Sequence, residues 1–363
     1  MSQKIVIDPV TRVEGHGRVT IHLDDYGKVK DSFFHIVEFR GFERFIQGHP
    51  YWEAPVLVQR LCGICPVSHH LAAAKAIDQL IGLEPGDLSS GADKLRRLLH
   101  YAQIFQSHAL HFFYLASPDL LFGADAPKEK RNVVAVAIEN RELATRGILM
   151  RKFGQEIIKA IAGKKIHGIS AVPGGVYKNL SREERNYFLD GRSIESLDTM
   201  IEWVREVLDF MKDYHLKHRK NLDEFAYYPS GHLGLVSDGN AMELYHGVLR
   251  AIDGEGNVTL DNVSTNDYIK YFSEAVEKWS YMKFPYLKNV GREKGWNRVG
   301  PLARINVAHG RKKLQQWLAK PAEPLAERNE LLLKLFFGSQ LDAEGMRRHL
   351  QRHRETAEAT LKE

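Results

Sequence analysis

The sequence predicts a mixed α/β chain, mainly helical, with an N-terminal antiparallel β portion packed on a core of long helices. Two observations predict this class. The first forty residues carry short apolar runs separated by turn residues, which is typical of paired strands. Further along, Ala92 to Leu115 and Asn132 to Ile161 place apolar residues at helical spacing over many turns.

The N-terminal runs are expected to pair as an antiparallel meander. Lys4 to Ile7 is a short apolar run, Arg18 to Leu23 alternates, and Val29 to Phe39 resumes the strand pattern. The sequence Asp24-Asp25-Tyr26-Gly27 supplies the turn between the second and third strands.

Helical periodicity begins near residue 52 and dominates the middle of the chain. Pro118 is expected to close the long helix, and Gly163 to end the next one in a left-handed conformation. Ser181 and Glu184 form a capping-box pattern that opens another helix. The expected helices are Ala54–Leu61, Ser68–Leu80, Ala92–Leu115, Asn132–Ile161, one from Ser181, one ending near Lys217, Asp267–Trp279, Leu325–Phe337 and Glu344–Leu361.

The remaining patterns divide the chain into four portions. Phe225 to Asn262 reads as short strands with a hairpin turn at Gly254 to Asn257. The predicted portions are an N-terminal β portion (1–50), a helical core (51–222), a mixed α/β portion (223–307) and a helical tail (308–363).

Composition limits the class of protein. The chain has 363 residues and a formal net charge of +5 with scattered basic residues, which gives no indication of nucleic-acid binding. It has no uninterrupted apolar run long enough for a membrane span and no signal-peptide pattern, so we expect a cytoplasmic protein. Two cysteines exclude a secreted disulfide scaffold.

The strongest chemical signal is Arg60-Leu61-Cys62-Gly63-Ile64-Cys65-Pro66-Val67-Ser68-His69-His70. Thiolates three residues apart can face one soft metal, and Gly63 allows a tight bend between them. Arg60 is expected to favour the ligating thiolate. His69, four residues after Cys65, is placed to hydrogen-bond that sulfur.

Three other interpretations of the cysteine pair stay open. The pair could be a thioredoxin-like redox couple, but the segment before it reads as helix rather than strand. It could be half of a zinc site, with His69 and His70 as the nearby candidates for further ligands. It could also be two buried structural thiols.

Two glutamates near the N-terminus are further candidates. Glu14 lies in the bend Arg12-Val13-Glu14-Gly15-His16-Gly17, where it is either a proton-passing carboxylate or a solvated surface residue. Glu43 lies in an aromatic neighbourhood, where it is either a ligand for a hard metal or the partner of Arg44 in an ion pair.

Taken together, these segments closely resemble the large, catalytic subunit of nickel–iron hydrogenases. The N-terminal signatures occur in the family's order and spacing, and later ones resemble its cytoplasmic, NAD-linked bidirectional branch over about residues 3–307. The segments are Arg12-Val13-Glu14-Gly15-His16-Gly17, Arg40-Gly41-Phe42-Glu43, Arg60 to His69, Lys152 to Glu156, His167 to Val176, Ser280 to Pro285 and Gly300 to Arg304.

The resemblance implies a role for each matching residue. Cys62 would be a terminal nickel ligand, and Cys65 would bridge nickel to an iron that also carries carbonyl and cyanide. His69 would hydrogen-bond the bridging sulfur, Glu14 would relay the proton of heterolytic H2 cleavage, and Glu43 would bind a buried magnesium ion.

The resemblance also implies partners. These are an iron–sulfur small subunit, together with flavin-containing diaphorase subunits that pass electrons to NAD(P). Because no Gly-x-Gly-x-x-Gly fingerprint occurs in this chain, we expect the nicotinamide to bind elsewhere in the complex.

The family's second cysteine pair and C-terminal histidine motif do not occur in this sequence, and residues 309–363 do not resemble the family. We expect that two thiolates alone do not assemble a stable nickel–iron centre. Three hypotheses follow: a hydrogenase large subunit truncated or frame-shifted near residue 308, a metal-free scaffold in a redox complex, or a dithiol oxidoreductase.

Overall fold

A computed structural model of the chain describes residues 3–38, 40–123, 125–191, 195–224 and 229–309. These residues form two units. One, here called the sheet unit, combines the described residues up to 45 with those from 220 onward, and the other, the cysteine unit, holds those of 46–219. The predicted helices Leu325–Phe337 and Glu344–Leu361 lie outside the described residues.

The helices are numbered along the chain. Short 3-10 turns occur beside several of them, and a π-helical turn at His111–Ala116 connects two of them. Their bounds are α1 Phe42–Phe45, α2 Ala54–Leu57, α3 Pro66–Leu80, α4 Ser90–Leu110, α5 Ser117–Phe122, α6 Val133–Glu139, α7 Arg141–Ala162, α8 Arg182–Asp190, α9 Leu197–Glu224, α10 Tyr268–Tyr271 and α11 Pro301–His309.

The strands are numbered in the same way. Their bounds are β1 Lys4–Ile7, β2 Gly17–Leu23, β3 Val29–Ile36, β4 Ala171–Val172, β5 Gly175–Val176, β6 Gly231–Val236, β7 Met242–Glu243, β8 Val248–Ile252, β9 Val258–Val263, β10 Phe272–Val276, β11 Lys283–Leu287 and β12 Asn297–Arg298.

The sheet unit contains the predicted N-terminal meander, in the order β1-β2-β3 with antiparallel pairing. A second sheet runs β12-β6-β8-β9, and β10 pairs with β11. The meander joins residues distant in sequence: the His35 ring lies 2.6 Å from the carbonyl of Trp279, and Tyr281 N–H donates to the carbonyl of Ile36. The core of the second sheet contains Ala251, Leu260, Val263, Phe272 and Leu287.

The cysteine unit is built on close contact between α4 and α7. At Gly154 of α7, a Cβ atom would lie only 2.8 Å from the carbonyl oxygen of Ala102 and from Cβ of Gln106. Gly147 leaves a similar space for the Phe113 ring. Because these glycines lack a side chain, the two helices can approach closely, and α4 is held firmly along this face.

The predicted helix Asp267–Trp279 is wrong. Only a short helical segment ending at Tyr271 forms there, and Phe272–Val276 is instead the strand β10, paired antiparallel with β11. Glu and Ala in this segment favour helix locally, but Phe272 and Ala275 are buried in the strand, and that burial outweighs the local preference.

The predicted end of the long helix at Pro118 is also wrong, because helical structure continues to Phe122. Pro118 lies in the first turn of α5, directly after the π-helical turn, where a missing N–H costs little. The predicted helix Asn132–Ile161 is divided at Asn140 into α6 and α7, and α7 ends as expected at Gly163, with a φ of 79°.

Other local predictions are confirmed. Ser181 and Glu184 form both bonds of a capping box, and the turn at Gly254–Asn257 connects β8 to β9. The mainly helical class with antiparallel sheets is also confirmed. None of the described helices combines the length and the apolar character needed to cross a bilayer.

Candidate metal centre

The loop that holds both cysteines connects a 3-10 helix (Val58–Leu61) to α3. Cys62 has an extended backbone, and Cys65 is the N-cap residue of α3, directly before Pro66. The backbone N–H of Cys65 donates to Sγ of Cys62 at 3.2 Å. The pair therefore lies in a turn before the helix.

Both cysteines are half-buried and form no disulfide. Gly63 between them does not adopt a left-handed φ, and no atom lies within 4 Å of a Cβ placed there. The tight bend therefore does not require glycine at this position.

Two buried amides from α4 hold the middle of this loop. The side-chain Nε2 atoms of Gln103 and Gln106 both donate to the carbonyl oxygen of Ile64, at 2.8 and 3.0 Å. The two side chains are only 2% and 4% exposed. The residue between the cysteines is thus fixed by an element distant in sequence.

A third contact fixes the carbonyl of Cys62. The guanidinium of Arg60 donates to Nδ1 of His167 at 2.7 Å, and Nε2 of His167 donates to the Cys62 carbonyl at 3.3 Å. Because arginine can only donate, Nδ1 must accept, and the proton must lie on Nε2. His167 holds this position with a left-handed φ of 55°, which is costly for a residue other than glycine.

His70 is a structural residue in this arrangement. Its Nε2 accepts from the backbone N–H groups of Ser170 and Ala171, and its Nδ1 donates to the carbonyl of Pro55 at 2.8 Å. Burial lowers the pKa of this ring, which is 1% exposed, although the Pro55 bond acts in the opposite direction. Both nitrogens are occupied, so His70 is unsuited to the zinc ligand role considered from the sequence.

His69 lies on the first turn of α3 and is half-buried, and burial lowers its pKa. Its ring makes no hydrogen bond to the residues that the structure describes. The bond from His69 to the Cys65 sulfur therefore stays a prediction.

A buried ion pair supports the same region. Arg96 of α4 pairs with Asp78 of α3, and its guanidinium also donates to the carbonyls of Val172 and Gly175, at 2.6 and 2.9 Å. Asp78 in turn accepts from the N–H of Gly174. The pair thus attaches the β4–β5 hairpin to two helices.

The two candidate glutamates belong to the sheet unit and are both exposed. Glu14 lies in the predicted bend, where Gly15 has a φ of 79° and the next residue, His16, lies 2.5 Å from a carboxylate oxygen of Glu38. The proton-relay role of Glu14 stays a prediction.

Glu43, in α1, forms an ion pair with Arg40 rather than with Arg44. Its own backbone N–H and the Arg40 guanidinium lower its pKa. Magnesium prefers six oxygen ligands, and a single paired carboxylate falls far short of that set. Within the described parts of the chain, no three His, Cys, Asp or Glu side chains form a group able to hold a metal ion. The magnesium site stays a prediction.

The geometry distinguishes among the interpretations of the cysteine pair. A thioredoxin-like couple needs a strand before the motif, whereas a 3-10 helix precedes Cys62. Two cysteines in a braced loop remain candidates for two thiolate ligands of one metal ion. The residues that brace it, namely Gln103, Gln106 and His167, were not singled out as site residues from the sequence. The available signal was a pair of amides three residues apart on the apolar face of a long helix.

Family models match the N-terminal part of the chain and a segment at its end. A model described as HoxL-like matches residues 4–39, and one described as nickel-dependent hydrogenase matches residues 40–141. Residues 327–363, outside the described residues, match a different model, described as virulence activator alpha C-term.

Curated relatives match over longer stretches. The chain is 53% identical to the NAD-reducing hydrogenase HoxS subunit beta of Cupriavidus necator, over 85% of this chain and 64% of that protein. It thus spans less than two-thirds of that relative. It is 40% identical to a subunit of the vhu F420-non-reducing hydrogenase of Methanococcus voltae, over 91% of this chain and 78% of that protein.

Solved structures show the same fold. An NAD+-reducing NiFe hydrogenase in the H2-reduced state matches with a TM-score of 0.80 and 51% identity, over 85% of this chain and 66% of that chain. The NiFeSe hydrogenase of Desulfomicrobium baculatum matches with a TM-score of 0.64 at 22% identity, over 88% of this chain and 71% of that chain. Together with the sequence identities and the family models, these matches show that the chain belongs to the family of nickel-dependent hydrogenase large subunits.

Proposed function

We propose that this chain acts as the large subunit of a hydrogenase and that Cys62 and Cys65 supply two of the thiolates of its nickel–iron centre. The bound centre would provide reversible, heterolytic cleavage of H2. The proposal rests on family membership together with the sulfur pair in its braced loop.

The single observation that carries the assignment is the support of the loop. The carbonyls of Cys62 and Ile64 both receive hydrogen bonds from residues far along the chain, and Cys65 N–H contacts the Cys62 sulfur. A metal ligand pair gains affinity when its backbone is fixed before the metal binds. Thiols buried only for packing have no need of such support.

The donor set fits half of the centre. This sequence holds two cysteines, so the further thiolates that the family resemblance implies would come from outside it. In this proposal the iron of the centre would also carry carbonyl and cyanide ligands.

Proton handling is assigned to two side chains. Glu14 would accept the proton released by heterolytic cleavage, because a carboxylate can gain and lose a proton near neutral pH when its surroundings allow it. His69 would donate a hydrogen bond to the Cys65 sulfur, which lies at the start of the same helix.

We further propose that the chain works in a cytoplasmic complex. An iron–sulfur small subunit would take up the electrons, and flavin-containing diaphorase subunits would deliver them to NAD(P). The relatives named NAD-reducing support this choice of acceptor. A magnesium ion bound by Glu43 is part of the same proposal.

The test is to purify the full chain with its co-expressed partners and to measure nickel, iron and H2-dependent NAD+ reduction together. We expect about as much nickel as chain, more iron than nickel because the small subunit would add iron–sulfur clusters, and reduction that requires H2. A stable complex without nickel would instead indicate a metal-free scaffold, and reduction of insulin disulfides would indicate a dithiol oxidoreductase.

A further inference from the structure

The peptide group between Ile64 and Cys65 is held at both edges. Its carbonyl oxygen accepts from Gln103 and Gln106, and its N–H donates to Sγ of Cys62 at 3.2 Å. In a trans peptide the C=O and N–H point in opposite directions within one plane. Any rotation of this peptide group that breaks the hydrogen bonds from Gln103 and Gln106 therefore also turns the Cys65 N–H away from the Cys62 sulfur.

The two hydrogen bonds from Gln103 and Gln106 of α4 to the Ile64 carbonyl, here called the clamp, leave this peptide group little freedom to move. A carbonyl oxygen has two lone pairs, and two donors at 2.8 and 3.0 Å occupy both. Both glutamine side chains are almost fully buried, so water cannot replace a lost bond without a cost. Gln106 is further restricted by α7, because its Cβ faces the position at Gly154 where no side chain fits.

We propose that Gln103 and Gln106 are positioning residues for the metal ligands of this chain. By holding the peptide plane, they aim the Cys65 N–H at the Cys62 sulfur and so fix the direction in which that sulfur faces. This inference rests on the proposed function, because Gln103 and Gln106 can position metal ligands only if the two cysteines bind a metal. The two glutamines contact neither the sulfur atoms nor any substrate directly.

The variants that test this are Gln103→Met, Gln106→Met and the double variant, each made in the full chain. Methionine keeps much of the side-chain volume but donates no hydrogen bond. The matched control is Asn306→Leu in the sheet unit, where a buried amide that is 4% exposed loses its 2.8 Å bond to His232. The control thus removes a comparable bond away from the cysteine loop.

The first measurement is hydrogen–deuterium exchange of the Cys65 amide. Each single variant is expected to speed this exchange about fivefold, the effect of one lost hydrogen bond on local opening, and the double variant more. Asn306→Leu is expected to leave it unchanged. Unchanged exchange in the double variant, or an equal rise in the control, would overturn the proposal.

The second measurement is titration with Ni2+ alone, followed by the sulfur-to-nickel charge-transfer absorption. We expect the glutamine variants to bind Ni2+ about fivefold more weakly than the wild type and the control, because the sulfur direction is no longer fixed. Equal affinity in all the variants would contradict the positioning role. Faster exchange in the variants, combined with no nickel in the purified wild-type complex, would reject the proposed function and leave the hydrogen bonds from Gln103 and Gln106 as structural contacts.

Discussion

The cysteine loop and the two candidate glutamates differ in what holds them. The loop is braced by buried or half-buried side chains from α4 and from the segment around His167. Glu14 and Glu43 lie on the surface of the sheet unit, and Glu43 is paired with Arg40, which is also exposed. The two cysteines are therefore held in place within one unit, whereas Glu14 and Glu43 lie at exposed positions.

This difference indicates which properties each region controls. Buried hydrogen bonds and ion pairs are costly to break, so changes around the cysteine loop should affect stability and metal binding together. Changes at exposed carboxylates should leave folding intact and act on activity alone. The following predictions test that contrast.

The largest expected effect is on turnover. Glu14→Gln removes a titratable proton carrier while keeping the side-chain shape, so H2-dependent NAD+ reduction by the complex should fall by a factor of about 100 or more. Nickel content and the urea midpoint should not change, because the side chain is exposed. Asp31→Asn, another exposed carboxylate of the sheet unit, is the control. Full activity in Glu14→Gln would exclude the relay role.

The next effect is on stability in the cysteine unit. Asp78→Asn leaves the Arg96 guanidinium buried without its counter-charge, which should cost about 3–5 kcal/mol of unfolding free energy. Urea unfolding measures this loss. Glu277→Gln, which breaks the more accessible pair with Arg292, should cost about 1 kcal/mol or less. Equal losses in the two variants would contradict the contrast between the units.

A smaller effect is the pH dependence of folding. Burial lowers the pKa of His70, so the unfolded chain binds a proton that the folded chain does not. The contribution of His70 to the free energy of unfolding is therefore fully present above about pH 6.5. It falls as the pH drops below that value, by up to about 1.4 kcal/mol per pH unit. The free energy of unfolding of wild type and His70→Gln is measured from about pH 8 to about pH 5. It should decrease less in the variant than in the wild type. Parallel curves would exclude this contribution.

The smallest expected effect is that of Glu43→Gln on stability. The carboxylate is exposed and forms a surface ion pair with Arg40. The midpoint of urea unfolding at neutral pH should therefore not change measurably. The charge-conserving variant Arg40→Lys serves as its control. A clear drop in the midpoint for Glu43→Gln would show that this residue is held by more than a surface pair.

Local patterns predicted local structure well. Alternating runs gave the meander at Lys4–Leu23, and the capping box at Ser181 and the glycine stop at Gly163 were both read directly from residue types. Such signals act within a few residues and need no tertiary partner. The prediction of a helix at Phe272–Val276 was wrong because the structure of this segment depends on a distant partner. The segment forms a strand that pairs with Lys283–Leu287.

The cysteine pair of the candidate site can be recognised in the sequence, but the contacts that support it cannot. The spacing of Cys62 and Cys65 is visible in the sequence, whereas the donors to the carbonyl of Ile64 lie about forty residues away. The sequence placed Arg60 beside the thiols, but it gave no sign that the guanidinium donates to His167. Contacts of this kind depend on how α4 packs, and no local pattern records them.

The most direct test of the central claim is nickel X-ray absorption on the purified complex, comparing wild type with Cys62→Ser and Cys65→Ser. If these two residues hold the metal, wild type should show a sulfur shell around nickel. Each serine variant should lose nickel or show fewer sulfur neighbours. Nickel with an unchanged sulfur shell in both variants would contradict the claim that this cysteine pair binds the metal.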